Sequence, residues 1–253
     1  MGRFESTIPF YGRFREPYPP RFFSVVADRL ALNRQMRLLD AGCGPGLLAI
    51  GFAPYVGPCT GVDPEPAMLH TAQAAAVSAG VKLELIEGRL EDLPENAGPF
   101  DLVTIGRALH WMDRAAALKA LERVVAPAGA IVTSAPRTAK TAGSPWVGPY
   151  DEVRKAWAED EDRRRYEIDQ NAWFAGSPFR VADEITLPYS HRVTVADLIG
   201  RALSKSNTSP QVLGDRRAAF ESALANVLEP YAVDGLLNEE IVAVATILRR
   251  LRH

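Results

Sequence analysis

Between Met36 and Ala135 the chain switches repeatedly between two hydrophobic patterns. Met36–Ala41, Pro58–Asp63, Phe100–Gly106 and Ala130–Ala135 are short apolar runs, and Val81–Glu87 alternates apolar and charged residues with a period of two. Runs of this length, bounded by turn residues, read as strands. The intervening segments Pro45–Val56, the alanine-rich Glu65–Ala79 and Asp113–Val125 carry helical spacing. A further helix is predicted over Arg21–Asn33, where Phe22, Phe23, Val26, Leu30 and Leu32 fall near one face. Strand–helix alternation with short loops implies a parallel sheet covered on both faces, an α/β fold.

The alternation stops after Ala135. Arg137–Gly148 is rich in Gly, Pro, Thr and Ser and reads as a loop, and Pro149–Asp169 reads as a charged helical stretch. A strand is predicted over Glu184–Val193, helices over Val195–Leu203 and Arg216–Leu228, and a last strand over Ile241–Leu248, where a helix is the alternative. The expected organisation is a core with an N-terminal lid segment (1–136), a helical cap or insertion (137–183), and closing strands and helices (184–253) that complete the sheet and an acceptor pocket.

Composition narrows the class. The chain has 253 residues, 47% apolar and 24% charged, with a formal net charge of -2. That balance suits a globular protein with a real core and gives no electrostatic footprint for a phosphate backbone, so nucleic acid is not an expected partner. Net charge alone does not exclude a local basic patch. Two cysteines, Cys43 and Cys59, are too few for a disulfide scaffold and read as reduced thiols. No metal site is expected. The proline-rich start lacks a signal-peptide layout, and no apolar run reaches the roughly 18 residues of a membrane helix, so a cytoplasmic location is expected.

The candidate chemistry begins at Asp40-Ala41-Gly42-Cys43-Gly44-Pro45-Gly46, between the first strand and its helix. Glycines suit a sharp turn against which a ligand lies without Cβ interference. The helix start adds unpaired N–H groups and a positive dipole end. The dinucleotide pattern would need glycine at position 47, where the chain has Leu47. Asp63, in Gly61-Val62-Asp63-Pro64, stands about 20 residues on, where an acid accepts the ribose hydroxyls of a nucleoside. It also suits a helix N-cap. Two further segments follow strands: Gly88-Arg89-Leu90-Glu91-Asp92-Leu93-Pro94, and Phe100-Asp101-Leu102-Val103-Thr104-Ile105-Gly106 with Arg107-Ala108-Leu109-His110-Trp111 after it.

Together these segments resemble the motifs of class I S-adenosylmethionine (SAM)-dependent methyltransferases, over roughly residues 36 to 135. The opening Tyr11-Gly12-Arg13-Phe14-Arg15-Glu16-Pro17-Tyr18-Pro19 is similar to a lid segment of small-molecule members related to trans-aconitate methyltransferases, in the methyltransferase type 11 group. The resemblance implies a Rossmann-like, doubly wound sheet of seven strands, order 3-2-1-4-5-7-6, the last antiparallel. It implies SAM as cofactor and S-adenosylhomocysteine as product.

Carried onto this sequence, the resemblance places Asp40, Gly42, Cys43, Gly44, Gly46, Asp63, Pro64, Met68, Leu90, Glu91, Gly106 and Arg107 around the cofactor, with Tyr11 and Arg15 over it. Arg89 stands where the family carries an acid, which shifts the adenine contact to Glu91, Asp92 or the Leu90 backbone. Asp40 also suits a purely local role, accepting backbone N–H bonds that order the loop, and Cys43 suits packing space. His110 is the candidate base, since a neutral imidazole takes a proton near neutral pH. The alternative is a His110–Trp111 pair that packs the loop. Trp111, Trp146, Tyr150 and Trp173, with His110, are the candidate walls of an acceptor pocket. The expected activity is methylation of a small molecule at O, N or C by in-line displacement. An RNA- or protein-directed methyltransferase and a non-catalytic SAM-binding module are the competing readings.

Overall fold

The computed structural model describes residues 10, 14–159 and 168–251; Tyr11 lies outside them. The chain divides into two compact units, and the stretches 137–183 and 184–253 each contribute to both. The first unit comprises Pro20–Ala135, Arg163–Thr186 and Val244–His253. The second comprises Met1–Pro19, Pro136–Asp162 and Leu187–Ala243.

The first unit is built on five parallel strands: β1 (Leu38–Ala41), β2 (Cys59–Asp63), β3 (Leu83–Glu87), β4 (Phe100–Gly106) and β5 (Val125–Ser134). Every residue of β1 and β2 is buried, as expected of strands covered on both faces. β1 sits between β2 and β4, pairing Leu38 with Cys59 on one side and with Leu102 on the other. Strand order therefore reverses direction at β1, and the carboxyl ends of β1 and β4 flank the crevice where open α/β sheets bind ligands. The helices of this unit are α1 (Phe22–Leu30), α2 (Leu47–Phe52), α3 (Pro66–Ser78) and α4 (Arg114–Val124). Asp113 caps α4 by accepting the Ala116 N–H at 2.8 Å. The core joins Leu39 and Val62 of the first strands to Val103, Ile131 and Leu121.

The sheet order is β3-β2-β1-β4-β5-β8-β6, with β7 (Phe179–Thr194) pairing β8 (Leu236–Arg250) off that path. β6 is only Arg137–Thr138. Without this two-residue pair the order is the expected one: the last strand lies antiparallel beside β5, from Ala130↔Arg249 to Ser134↔Ala245, and the penultimate strand lies beyond it. β6 falls in the stretch read as loop, because two paired residues leave no periodicity to detect. The segment around Ile241–Leu248 is strand, not helix. Its alternating burial matches a ladder partner, and β-branched residues favour that state.

In the second unit, α5 (Val147–Trp157), α6 (Val195–Leu203) and α7 (Arg217–Leu228) enclose Tyr150, Leu198, Phe220, Leu224 and Leu228. Thr194 and Asp197 form a reciprocal capping box at the start of α6. Inside this unit Arg201 makes a two-pronged ion pair with Glu239, which is fully buried. Thr138 donates to the same carboxylate at 2.5 Å, and His191 Nε2 lies 2.7 Å from its other oxygen. Glu239 is thus the hub of a buried polar cluster. Removing it strands the Arg201 guanidinium in a low-dielectric site. Glu239→Ala is expected to destabilise the fold by about 3–5 kcal/mol, and Glu239→Gln by less, read as shifts in urea unfolding midpoint.

Candidate active site

The site grows out of the loop that ends β1. Gly42, Gly44 and Gly46 all have left-handed backbones, with φ of 66°, 51° and 81°. The N–H groups of Gly42 and Cys43 both donate to the Val62 carbonyl, at 2.9 and 3.1 Å, which folds the loop back on the tip of β2. The three glycines differ in what surrounds them. A Cβ on Gly42 would lie 2.6 Å from the Ala108 side chain, and one on Gly46 3.2 Å from Ala72. A Cβ on Gly44 meets no protein atom within 4 Å. Gly44 therefore presents bare backbone to open space, as a cradle for a ligand requires.

Two carboxylates hold this loop. Asp63 accepts the Gly44 N–H on one oxygen at 2.8 Å and the Glu65 N–H on the other at 2.9 Å. An ionised carboxylate has about four lone-pair sites, so acceptor capacity remains for a pair of hydroxyls. Burial raises its pKa, and the two N–H donors pull it down. Asp40 is more deeply enclosed. Its oxygens accept the Thr104 hydroxyl at 2.8 Å and the Ala49 N–H at 3.1 Å. Burial lifts its carboxyl to about 7. At 1% exposure, with one hydrogen bond on each oxygen, Asp40 fixes the start of α2 against β4, the local role expected beside that of a cofactor contact.

The β4 end closes the other side. Gly106 ends the strand, and Arg107 follows with φ of 56°, a left-handed conformation that costs an ordinary residue about 1–2 kcal/mol. Its N–H donates to the Ser134 carbonyl at 3.2 Å. His110 and Trp111 lie on a single 3-10 turn, Leu109–Trp111, with ring centroids 4.9 Å apart. Gly88 at the end of β3 donates to the Asp63 carbonyl at 3.1 Å, tying that strand tip to the second.

The family profile for a methyltransferase domain matches residues 39–133. Residues 39–133 are a class I SAM-dependent methyltransferase domain. Similar curated proteins include the ubiquinone biosynthesis O-methyltransferase of Marinobacter nauticus, 34% identical over 46% of this chain and 50% of that one. The uncharacterized methyltransferase YodH of Bacillus subtilis is 29% identical over 52% and 57%. The chain spans about half the length of the curated relatives it matches. Among solved structures, a protein of Anaeromyxobacter dehalogenans provisionally described as a type II methyltransferase superposes with a TM-score of 0.65 at 20% identity, covering 95% of this chain and 100% of that one. The [4+2]-cyclase SpnF superposes with a TM-score of 0.52 at 19% identity, covering 92% and 82%. These two likenesses concern the fold alone.

SAM is the cofactor of such a domain, and the methyltransferase loop fits it: bare backbone at Gly44, with a carboxylate at the neighbouring strand tip. Other expected contacts sit less directly. Cys43 packs against β2, since a Cβ on Gly61 would lie 2.9 Å from its sulfur, and burial raises its thiol pKa, so it stays protonated. Met68 and Leu90 are buried, which leaves Leu90 only its backbone to offer. Pro64 is exposed. The Glu91 carboxylate accepts the Asp113 N–H at 3.0 Å on one oxygen and so braces the start of α4.

Trp146 and Tyr150, two of the expected acceptor walls, line a cavity of the second unit. Trp146 is 1% exposed and donates its indole N–H to the Asn238 carbonyl at 2.8 Å. Tyr150 donates its hydroxyl to the Leu198 carbonyl at 3.1 Å, and burial pushes its phenol up to about 12. Both are core residues of the second unit whose polar tips are satisfied internally. Trp173 packs at the edge of the first unit's core, beside Phe174. Arg15, in the second unit, donates to the Ser204 carbonyl at 2.9 Å. Thr104 and Ala108 were missed by sequence reasoning. A hydroxyl within the apolar run of β4 is the signal that identifies Thr104; Ala108 carries none.

Two outcomes follow for the methyltransferase loop. Gly42→Ala should cost about 2–4 kcal/mol of stability through overpacking and left-handed strain, measured by urea unfolding. Gly44→Ala should cost about 1 kcal/mol yet weaken SAM at least about tenfold by calorimetry, because its methyl projects into the open cradle. Asp40 also gives a pH signature. Its folded pKa of about 7 lies above the unfolded value of about 3.9. The folded state thus keeps a proton the unfolded chain releases, so this group's contribution to stability falls as pH rises from about 4 to 7 and is level above that. Asp40→Asn should remove that component from a pH series of unfolding midpoints.

Proposed function

We propose that the chain is a SAM-dependent methyltransferase acting on a small-molecule acceptor at O, N or C. The observation that carries it is the pairing of the open Gly44 backbone with Asp63, which holds the Gly44 N–H and keeps free lone pairs. When bound, SAM supplies an already activated methyl group, so the protein's task is binding and orientation. Asp63 receives the ribose hydroxyls, and the Gly42–Gly46 turn carries the methionine part. The Leu90 backbone and the end of β4 at Gly106 and Arg107 complete the cofactor side. His110, on the turn after β4, is positioned for proton removal from an acceptor hydroxyl or amine, and Trp111 shapes the space beside it. Holding the acceptor in line and excluding water provide the rest of the acceleration.

A small-molecule acceptor is favoured over a nucleic acid by the net charge of -2. It is consistent with the O-methyltransferase described for the Marinobacter nauticus relative. A cytoplasmic location belongs to the same reading; no helix of the described residues is long and apolar enough to cross a membrane.

The deciding experiment is calorimetric titration with SAM and with S-adenosylhomocysteine. Micromolar binding of both is expected. Asp63→Ala should weaken each by about 10- to 100-fold, the worth of one or two charge-assisted hydrogen bonds. No heat from correctly folded wild-type protein with either compound would overturn the assignment. Once an acceptor is found by screening for S-adenosylhomocysteine release, His110→Ala should lower kcat by about 100-fold or more without changing SAM affinity. An unchanged kcat removes the base and leaves His110 as a packing residue.

A further inference from the structure

The second unit contains a cavity of about 180 Å³ whose lining is dominated by cations. Arg137, Lys140, Arg154, Arg201 and Lys205 face it, against two carboxylates, Glu16 and Asp151. These groups come from separated parts of the chain, the β6 segment, α5 and the end of α6.

Their pairing is uneven. Arg201 is neutralised from behind by Glu239, and its Nε donates to the Phe14 carbonyl at 2.8 Å. Asp151 alone serves two cations, accepting Lys140 Nζ and Arg154 Nη1 on opposite oxygens, each at 3.1 Å. Glu16 stands 3.8 Å from Lys205 Nζ. Arg137 forms no ion pair with a described residue. Among the described residues of the lining, Arg137, Lys140 and Arg154 thus share one carboxylate, Asp151. Arg154 Nε is also buried without a hydrogen-bond partner among the described residues. A buried N–H donor without an acceptor costs about 1–3 kcal/mol and marks a place where an acceptor belongs.

We propose that this cavity is a binding site for a small dianion, a dicarboxylate or a phosphate group, seated on Arg137, Lys140 and Arg154. The arithmetic of charge sets the valence: two negative charges restore neutrality. The volume admits a succinate-sized molecule or a phosphate. Guanidinium groups match both ligands, since their planar donors pair with carboxylate or phosphate oxygens two at a time. A concave wall with a net positive charge raises local anion concentration further. The site lies wholly within the second unit and stands independently of methyl transfer.

The test uses the full chain, titrated calorimetrically with sodium phosphate, sodium succinate and sodium acetate, with sodium chloride at matched ionic strength as reference. Saturable binding of phosphate or succinate is expected, at least about tenfold tighter than acetate. The tighter of the two identifies the ligand chemistry. Arg137→Ala, at an exposed position, should weaken that binding about tenfold or more. Arg154→Lys, which keeps the charge and loses the Nε donor, should weaken it less. SAM affinity should be unchanged in both variants, so failure here is separable from failure of the methyltransferase reading. Heats that match chloride, or dianion binding that survives Arg137→Ala, overturn the proposal.

Discussion

A single carboxylate at the tip of β2 determines whether the first unit has a binding loop at all. Asp63 accepts one N–H from the glycine turn and one from the start of α3. These donors sit on separate connections of the sheet, and each would otherwise need water. By taking both, Asp63 sets the distance between the first and second strand ends. Its remaining lone pairs then point from a fixed platform. Under the proposed function, reception of ribose hydroxyls and construction of the loop become one task performed by one group.

Asp40 is the complementary anchor, and its chemistry is of another kind. A carboxyl that burial lifts to about 7 is divided between its neutral and charged forms near neutral pH, and its structural part is that of a hydrogen-bonding wedge. It ties β4, through Thr104, to the first turn of α2, through Ala49. Gly42 then lets Ala108 approach so closely that the loop after β4 is locked onto the loop after β1. The left-handed Arg107 is the strained consequence of that lock, held in place by the Ser134 carbonyl. Such strain persists only where the surroundings over-determine it, and it is concentrated where His110 and Trp111 begin.

Most of the first unit was legible in the chain because its strands are short, buried and bounded by turn signals, while its helices show their own period. The order of the strands came from resemblance; hydrophobic period carries no information on which strand neighbours which. The glycine turn and Asp63 were legible because their spacing is dictated by covalent geometry. Glu91 and Asp40 each have a local partner that the sequence does not reveal, a backbone N–H at Asp113 or Ala49. Trp146 and Tyr150 are packed into the core of the second unit and also line its cavity, since an aromatic residue on an amphipathic segment can serve both ends. The cationic cavity was invisible for want of proximity, since Arg137, Arg154 and Lys205 converge only on folding.

The matched segment ends at residue 133, and the second unit resumes the chain at Pro136. The second unit carries its own core, its own buried ion-pair hub at Glu239 and a surplus of positive charge around one cavity. A fold that also serves a [4+2]-cyclase does not select a reaction. Selection rests on side chains outside the shared loop. In the second unit those side chains favour anionic ligands, although the chain as a whole is slightly acidic: the sign of a pocket is set by which charges face it, not by the sum over the surface.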